Sequence, residues 1–320
     1  MGDDATLLAV APTIIMNLVR GFFMGAADIV PGVSGGTIAL LFGIYERLIA
    51  SVRSGARALG RLVRLDFAGA SMRVRQIEWV LIAPLLVGIG VAVVALAPLL
   101  DHLLEEYPEE MAGLFFGLVV ASIVIAWRML ETRDALRVGV LIATAAVTFW
   151  VLGFQSGPVS DPTLLAFFGA GAIAICAMIL PGISGSFILL MLGMYGAVLN
   201  SVTERDATVL LVFTIGAVIG LALFSTALGW LLDNHHATVL AALIGLMAGS
   251  LRVIWPWPNG VGIISDEADA VIDGTGLEWP DTGDIWRPLL LGVIAAALVL
   301  GLSTVAKRRS SARDSAATTD

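Results

Sequence analysis

Residues 31–52 read PGVSGGTIALLFGIYERLIASV, and residues 181–202 read PGISGSFILLMLGMYGAVLNSV. The two stretches lie 150 positions apart and share Pro31/Pro181, Gly32/Gly182, Ser34/Ser184, Gly35/Gly185, Ile38/Ile188, Leu40/Leu190, Gly43/Gly193 and Tyr45/Tyr195. An apolar chain matches leucines by chance. It does not by chance repeat a P-G-x-S-G followed at fixed distances by a glycine and a tyrosine. The chain therefore carries an internal repeat. Proline cannot continue a helix, and glycine tolerates the backbone angles of a break, so each copy interrupts an apolar segment in its middle.

Outside these breaks the apolar runs fall at 79–100, 111–130, 138–153, 207–232, 237–255 and 287–306. Most approach the roughly 20 residues that cross a hydrocarbon core of about 30 Å. The 320 residues are 58% hydrophobic and only 14% charged, too few charges to cover a soluble surface; soluble domains are about 45–50% apolar. The start, Met-Gly-Asp-Asp, has no positive residue before Arg20, unlike a cleavable signal. The single cysteine, Cys176, excludes an intrachain disulfide and a cysteine metal cluster.

The loops sort by charge. Segment 51–76 carries Arg53, Arg57, Arg61, Arg64, Arg73 and Arg75, segment 128–137 carries Arg128, Arg133 and Arg137, and the tail carries Lys307, Arg308, Arg309 and Arg313. The positive-inside rule places all three in the cytoplasm. Segments 101–110 and 256–286 are acidic and fit the outside, with Trp255, Trp257, Trp279 and Trp286 as interfacial anchors. Each copy then comprises a broken hairpin and three spans. Three crossings are odd, so the second copy enters from the opposite side.

The expected fold is thus an all-α polytopic membrane protein with an inverted-topology repeat, an arrangement of secondary transporters whose site lies near the midplane. Residues 1–153 form the first repeat (hairpin about 7–50, basic linker 51–76, three spans). Residues 154–306 form the second (hairpin about 164–200, three spans, external loop 256–286), and 307–320 are a basic tail. Both termini are expected in the cytoplasm and the protein in the plasma membrane. Whether the hairpins are re-entrant or fully spanning is open at this level; the inversion holds either way. Arg53, Arg57, Arg61 and Arg64 recur at helical spacing, as in an amphipathic helix on the inner leaflet, with a solvated basic loop as the alternative.

Ser34 and Ser184 are placed to cap the helical runs that follow each break. Helix N-termini offer free N–H groups and partial positive charge, and glycines let an anion reach the backbone. Ser34, Gly35, Gly36 and Thr37 with Ser184, Gly185 and Ser186 are therefore candidate anion ligands. Intramembrane charges are costly without partners. Arg20 and Asp28, eight residues apart in the first arm, read either as a substrate contact with its orienting or proton-carrying carboxylate, or as a structural ion pair. Glu46 and Arg47 belong either to the interface or to the cytoplasmic mouth of the site. Asn17 and Asn200 are further polar candidates. Arg252 fits an outward-snorkelling role, and His102, His235 and His236 fit surface positions. GVSGGT (32–37) lacks the lysine of a phosphate-binding loop, so no nucleotide, nucleic acid or cofactor is expected. No nucleophile with a base and no metal set is present for catalysis.

Residues 20–50, RGFFMGAADIVPGVSGGTIALLFGIYERLIA, closely resemble the signature of PopT-type polyprenyl-phosphate translocases, domain-of-unknown-function family 368, and 178–195 resemble that family's second signature. The resemblance implies movement of an undecaprenyl- or dolichyl-type phosphate between leaflets, recycling it to the cytoplasmic face, with protons or sodium as candidate coupling ions. It carries family motif positions onto Arg20, Asp28, Pro31, Gly32, Ser34, Gly35, Gly36, Thr37 and Glu46, with Pro181, Gly182, Ser184, Gly185 and Ser186. A transporter of a small inorganic or organic anion is the alternative, because such half-helix N-termini suit those ions equally.

Overall fold

A computed structural model of the chain describes residues 3–29, 33–154, 159, 161–257, 277, 278, 280 and 285–317. Pro31, Gly32, Trp279 and most of the 256–286 loop lie outside the described residues. Among those described, the secondary structure is helical throughout. The first half contains α1 (Asp3–Ile29), α2 (Gly35–Leu41), α3 (Tyr45–Val63), α4 (Phe67–Arg75), α5 (Trp79–Glu106), α6 (Pro108–Met129) and α7 (Ala135–Val151). The second contains α8 (Leu164–Ile179), α9 (Gly185–Met191), α10 (Tyr195–Thr203), α11 (Ala207–Ser250) and α12 (Trp286–Ala317). Three of these helices, α5, α6 and α11, are long and apolar enough to cross a membrane, and α7, α8 and residues 286–301 of α12 are shorter apolar helices. This is the helical content of a polytopic membrane protein.

The arms after the breaks differ from expectation. Each was read as one continuous helical run. Each is instead a seven-residue helix, α2 or α9, closed by the same device. Gly43 and Gly193 both take φ +66. Around them Gly43 N bonds Leu40 O and Ile44 N bonds Ala39 O, while Gly193 N bonds Leu190 O and Met194 N bonds Leu189 O. These are Schellman motifs, which satisfy the last carbonyls of a helix and turn the chain. The turn between α9 and α10 amounts to 112°. At 1.5 Å per residue each short helix covers only about 10 Å. Glu46 and Arg47, read as the end of the second arm, open the separate helix α3. The basic linker is helical too, in α3 and α4, rather than a loop.

Two further Schellman turns close α3 and α10. They pass through Leu65 (φ 58) and Arg205 (φ 57), and Asp66 and Asp206 then cap α4 and α11. The gap between the apolar runs 207–232 and 237–255 becomes a kink inside α11, where His235 alone leaves helical geometry (φ −137, ψ 38). The last helix runs past its expected end at 306 to Ala317.

Four helix pairs build the bundle, each on a Gly-x-x-x-Gly. Gly21 and Gly25 set α1 against Leu85 and Ile89 of α5, and Gly216 and Gly220 set α11 against Phe168 and Ala172 of α8. Gly113 and Gly117 set α6 against Pro288 and Gly292 of α12, and Gly245 and Gly249 set α11 against Thr144 and Thr148 of α7. Residue numbers rise together in all four, so each pair is parallel. Small residues let backbones approach where apolar burial from lipid offers little drive. The last two pairs cross between halves. Tyr45, Ile49, Leu85, Val119, Ile244 and Met247, almost fully buried, form the centre.

Candidate functional site

The breaks lie deep beside α5. Gly25 faces Ile89 and Ala92, and Ile89 is ten residues into a 28-residue helix. Asp28, a turn further on, therefore stands roughly 20 Å along a helix of about 42 Å, near its middle.

At that depth the two breaks are stapled together. Ser34, 1% exposed, donates its hydroxyl toward Met178 O and Leu180 O, both at 3.2 Å. Thr37, fully buried, accepts from Gly182 N at 2.8 Å. The hydroxyl of Tyr45 donates to Ile179 O at 3.2 Å. First-half side chains thus satisfy backbone groups that the end of α8 and the second break leave without helical partners, an obligation of buried backbone. Gly36 permits the approach: a Cβ there would stand 2.8 Å from Ile179 O.

The two half-helix starts are not equivalent. In α2 the N–H groups of Gly35, Gly36 and Thr37 are all taken. Gly35 N donates to Asp28 Oδ1 at 2.6 Å, Gly36 N to Ser34 Oγ at 3.1 Å, and Thr37 N to Ser34 O at 2.9 Å. Asp28 is thus the internal anion of α2. In α9, Ser184 makes no side-chain cap bond; its hydroxyl pairs with that of Ser186 at 2.8 Å. Position 178, the counterpart of Asp28, is Met178. Among the described residues, side chains take the first N–H groups of α2 and make no such cap bond at the start of α9.

Asp28, Ser34, Gly35, Gly36 and Thr37 are thus brought together with the second break, beside Ser184, Gly185 and Ser186. Two candidates lie elsewhere. Arg20 is two turns back along α1, about 12 Å from Asp28, and its Nη1 donates to Asn17 Oδ1 at 2.9 Å. Asn17, fully buried, donates to Val80 O at 2.9 Å. Asp28 turns to Gly35, so the ion pair between Arg20 and Asp28 is not formed. Glu46 meets His236 at the α11 kink (Oε1 to Nε2, 2.7 Å). Beside that contact Arg53 pairs with Asp233 at 2.6 Å, tying α3 to α11.

Sequence reasoning missed Tyr45 as a staple, although its place in the repeat marked it. Among the other candidates, Asn200 is exposed. Arg252 rests on the Phe149 ring at 4.8 Å and donates to Phe149 O at 3.3 Å, at the end of α7, where a cation favours the helix dipole. Trp257, expected as an interfacial anchor, is buried at 6% exposure against Trp255. Trp286 is 59% exposed.

No solved structure matches the chain significantly. It is 42% identical over 243 residues to a protein of Vibrio cholerae named polyprenyl-phosphate transporter, covering 76% of this chain and 78% of the relative. A protein of the same name from Staphylococcus aureus is 30% identical over 258 residues, covering 75% and 86%. The family model described as VCA0040-like, undecaprenyl phosphate translocase-like, matches residues 24–271, a range that takes in both breaks and the helices that staple them. The chain belongs to that undecaprenyl phosphate translocase-like family.

Proposed function

We propose that the protein carries a polyprenyl phosphate, of undecaprenyl or dolichyl type, between the leaflets of the plasma membrane and returns it to the cytoplasmic face. The observation that carries this reading is the meeting of two broken helices beside the middle of α5, in a chain whose relatives are named for this substrate. Broken backbone at such depth is tolerated where it is buried or lines a cavity, as in transporters with discontinuous helices. Both hairpins are re-entrant on this reading: seven-residue arms reach about 10 Å and turn back.

The halves are inverted repeats. Supporting this, α1 runs parallel to α5 as α8 does to α11, and each half lends its last helix to a parallel pair in the other. The basic α3–α4 unit and the tail face the cytoplasm. The headgroup binds where the breaks meet, at the start of α9 with its Ser184 and Ser186 hydroxyls. Asp28 covers the equivalent place on α2 and orients the headgroup or carries a coupled proton. Glu46 at the α11 kink is the second candidate for coupling, with protons or sodium as the ion. Catalysis has no part in this reading.

The test is leaflet exchange of a labelled polyprenyl phosphate in proteoliposomes containing the full chain. Wild type should exchange it rapidly, and Ser34→Ala, which loses the staple to α8, should slow exchange without abolishing it. No exchange by folded wild type would defeat the reading. Inhibition by modest free phosphate or chloride, together with uptake of that ion, would favour a small-anion transporter.

A further inference from the structure

Away from the breaks, the beginning of α5 gathers a second charged cluster. The Arg47 fork lies on Glu78, the residue just before α5, with Nε to Oε2 at 3.0 Å and Nη2 on Oε1. Two residues on, Val80 O holds Asn17, and Asn17 Oδ1 holds Arg20. Both guanidiniums are thus moored within one turn of the same helix start. Among the described residues Glu78 is the carboxylate paired with them, because Glu46 is committed to His236. Arg20 spends one donor on Asn17, and its Nε is buried with no partner among the described residues. Two like charges with unused donors and a single carboxylate form an arrangement that a further anion completes.

We infer that Arg20 and Arg47 form a phosphomonoester-binding station at the start of α5, separate from the site at the breaks. Guanidinium forks match the oxygens of a phosphate in pairs, and a phosphomonoester brings more than one negative charge. The start of a 28-residue helix adds its own partial positive charge. Met16 and Phe23, one turn either side of Arg20 on α1, are 53% and 51% exposed. They offer an apolar track for a chain attached to the phosphate. This inference rests on the transport reading, and on it the station is where the headgroup arrives from or leaves to the cytoplasmic leaflet. Glu78 competes with the ligand for Arg47, so the carboxylate tunes release.

The experiment measures binding of a labelled polyprenyl phosphate to the full chain in nanodiscs, with inorganic phosphate as competitor, alongside exchange in proteoliposomes. Arg47→Gln should weaken lipid-phosphate binding about tenfold or more, while Glu78→Gln should tighten it. Tightening is an effect that mere loss of a structural ion pair does not produce, and Arg47→Lys keeps the comparison available if Arg47→Gln folds poorly. Competition by inorganic phosphate that disappears in Arg47→Gln would support the station with free phosphate as its ligand. Absence of competition, with the two variants still moving lipid binding in opposite directions, supports the lipid headgroup. Wild type that binds and exchanges the lipid while Arg47→Gln and Glu78→Gln both bind it unchanged would overturn the station alone. Wild type that neither binds nor exchanges would instead remove the transport reading beneath it.

Discussion

The staple between the breaks makes a prediction whose sign, and not only its size, is at stake. Thr37 is fully buried and its hydroxyl accepts from Gly182 N at 2.8 Å. Thr37→Val keeps the shape but leaves a buried N–H facing a methyl, at a cost of about 1–3 kcal/mol. Thr37→Ser keeps the acceptor and removes one methyl group, at a cost of about 0.8 kcal/mol for the lost burial. If the hydrogen bond holds the breaks together, valine is the worse substitution; if Thr37 only fills space, serine is. Reversible unfolding in mixed micelles, followed by tryptophan fluorescence, ranks the two against wild type. A valine variant as stable as wild type, or more stable than the serine variant, would refute the staple.

Three further outcomes follow from other contacts. Gly117→Leu should prevent the approach of α6 to Gly292 and lower thermal stability in detergent sharply, whereas Gly139→Ala, with nothing near the added methyl, should be neutral or gain about 0.5–1 kcal/mol from the helical preference of alanine. The hydrogen bond from Arg47, followed by its charge, holds the Glu78 carboxyl below its ordinary value of 4.5 despite partial burial. A depressed carboxylate contributes stability above its unfolded value and loses it as pH falls through the folded one, so the difference in melting temperature between wild type and Glu78→Gln should be full above pH 4.5 and vanish in the acid limb below it. Glu46→Gln should change stability by less than about 1 kcal/mol, since its contact with His236 is exposed on both sides; a larger loss in the same unfolding assay would mean that the α11 kink depends on it.

The repeat, the apolar spans and the cap by Ser34 were legible because they are local. A Pro-Gly break, a run of twenty apolar residues and a serine before a helical stretch act through the backbone of their own segment. The four Gly-x-x-x-Gly motifs are equally plain in the sequence, but the helix that each one faces is not. That choice depends on how α6 and α7 pack across to α12 and α11. Gly43 and Gly193 were seen as repeat markers, yet their positive φ, which ends α2 and α9 after seven residues, emerges only when the C-terminal carbonyls must be satisfied.

Tertiary structure alone decided the partners of the charges and hydroxyls. Arg20 and Asp28 share the first arm, but eight residues separate them by about 12 Å, and each found a nearer group: Asn17 for Arg20, Gly35 for Asp28. Glu46 and His236 stand 190 positions apart and Thr37 and Gly182 stand 145 apart. No pattern in a linear chain announces such pairs. Sequence by itself determined where most apolar helices run and where the Pro-Gly breaks interrupt them, because those are short-range preferences of backbone and solvent. The fold decided which orphaned polar groups meet, because in an apolar interior each must find a partner wherever packing brings one within reach.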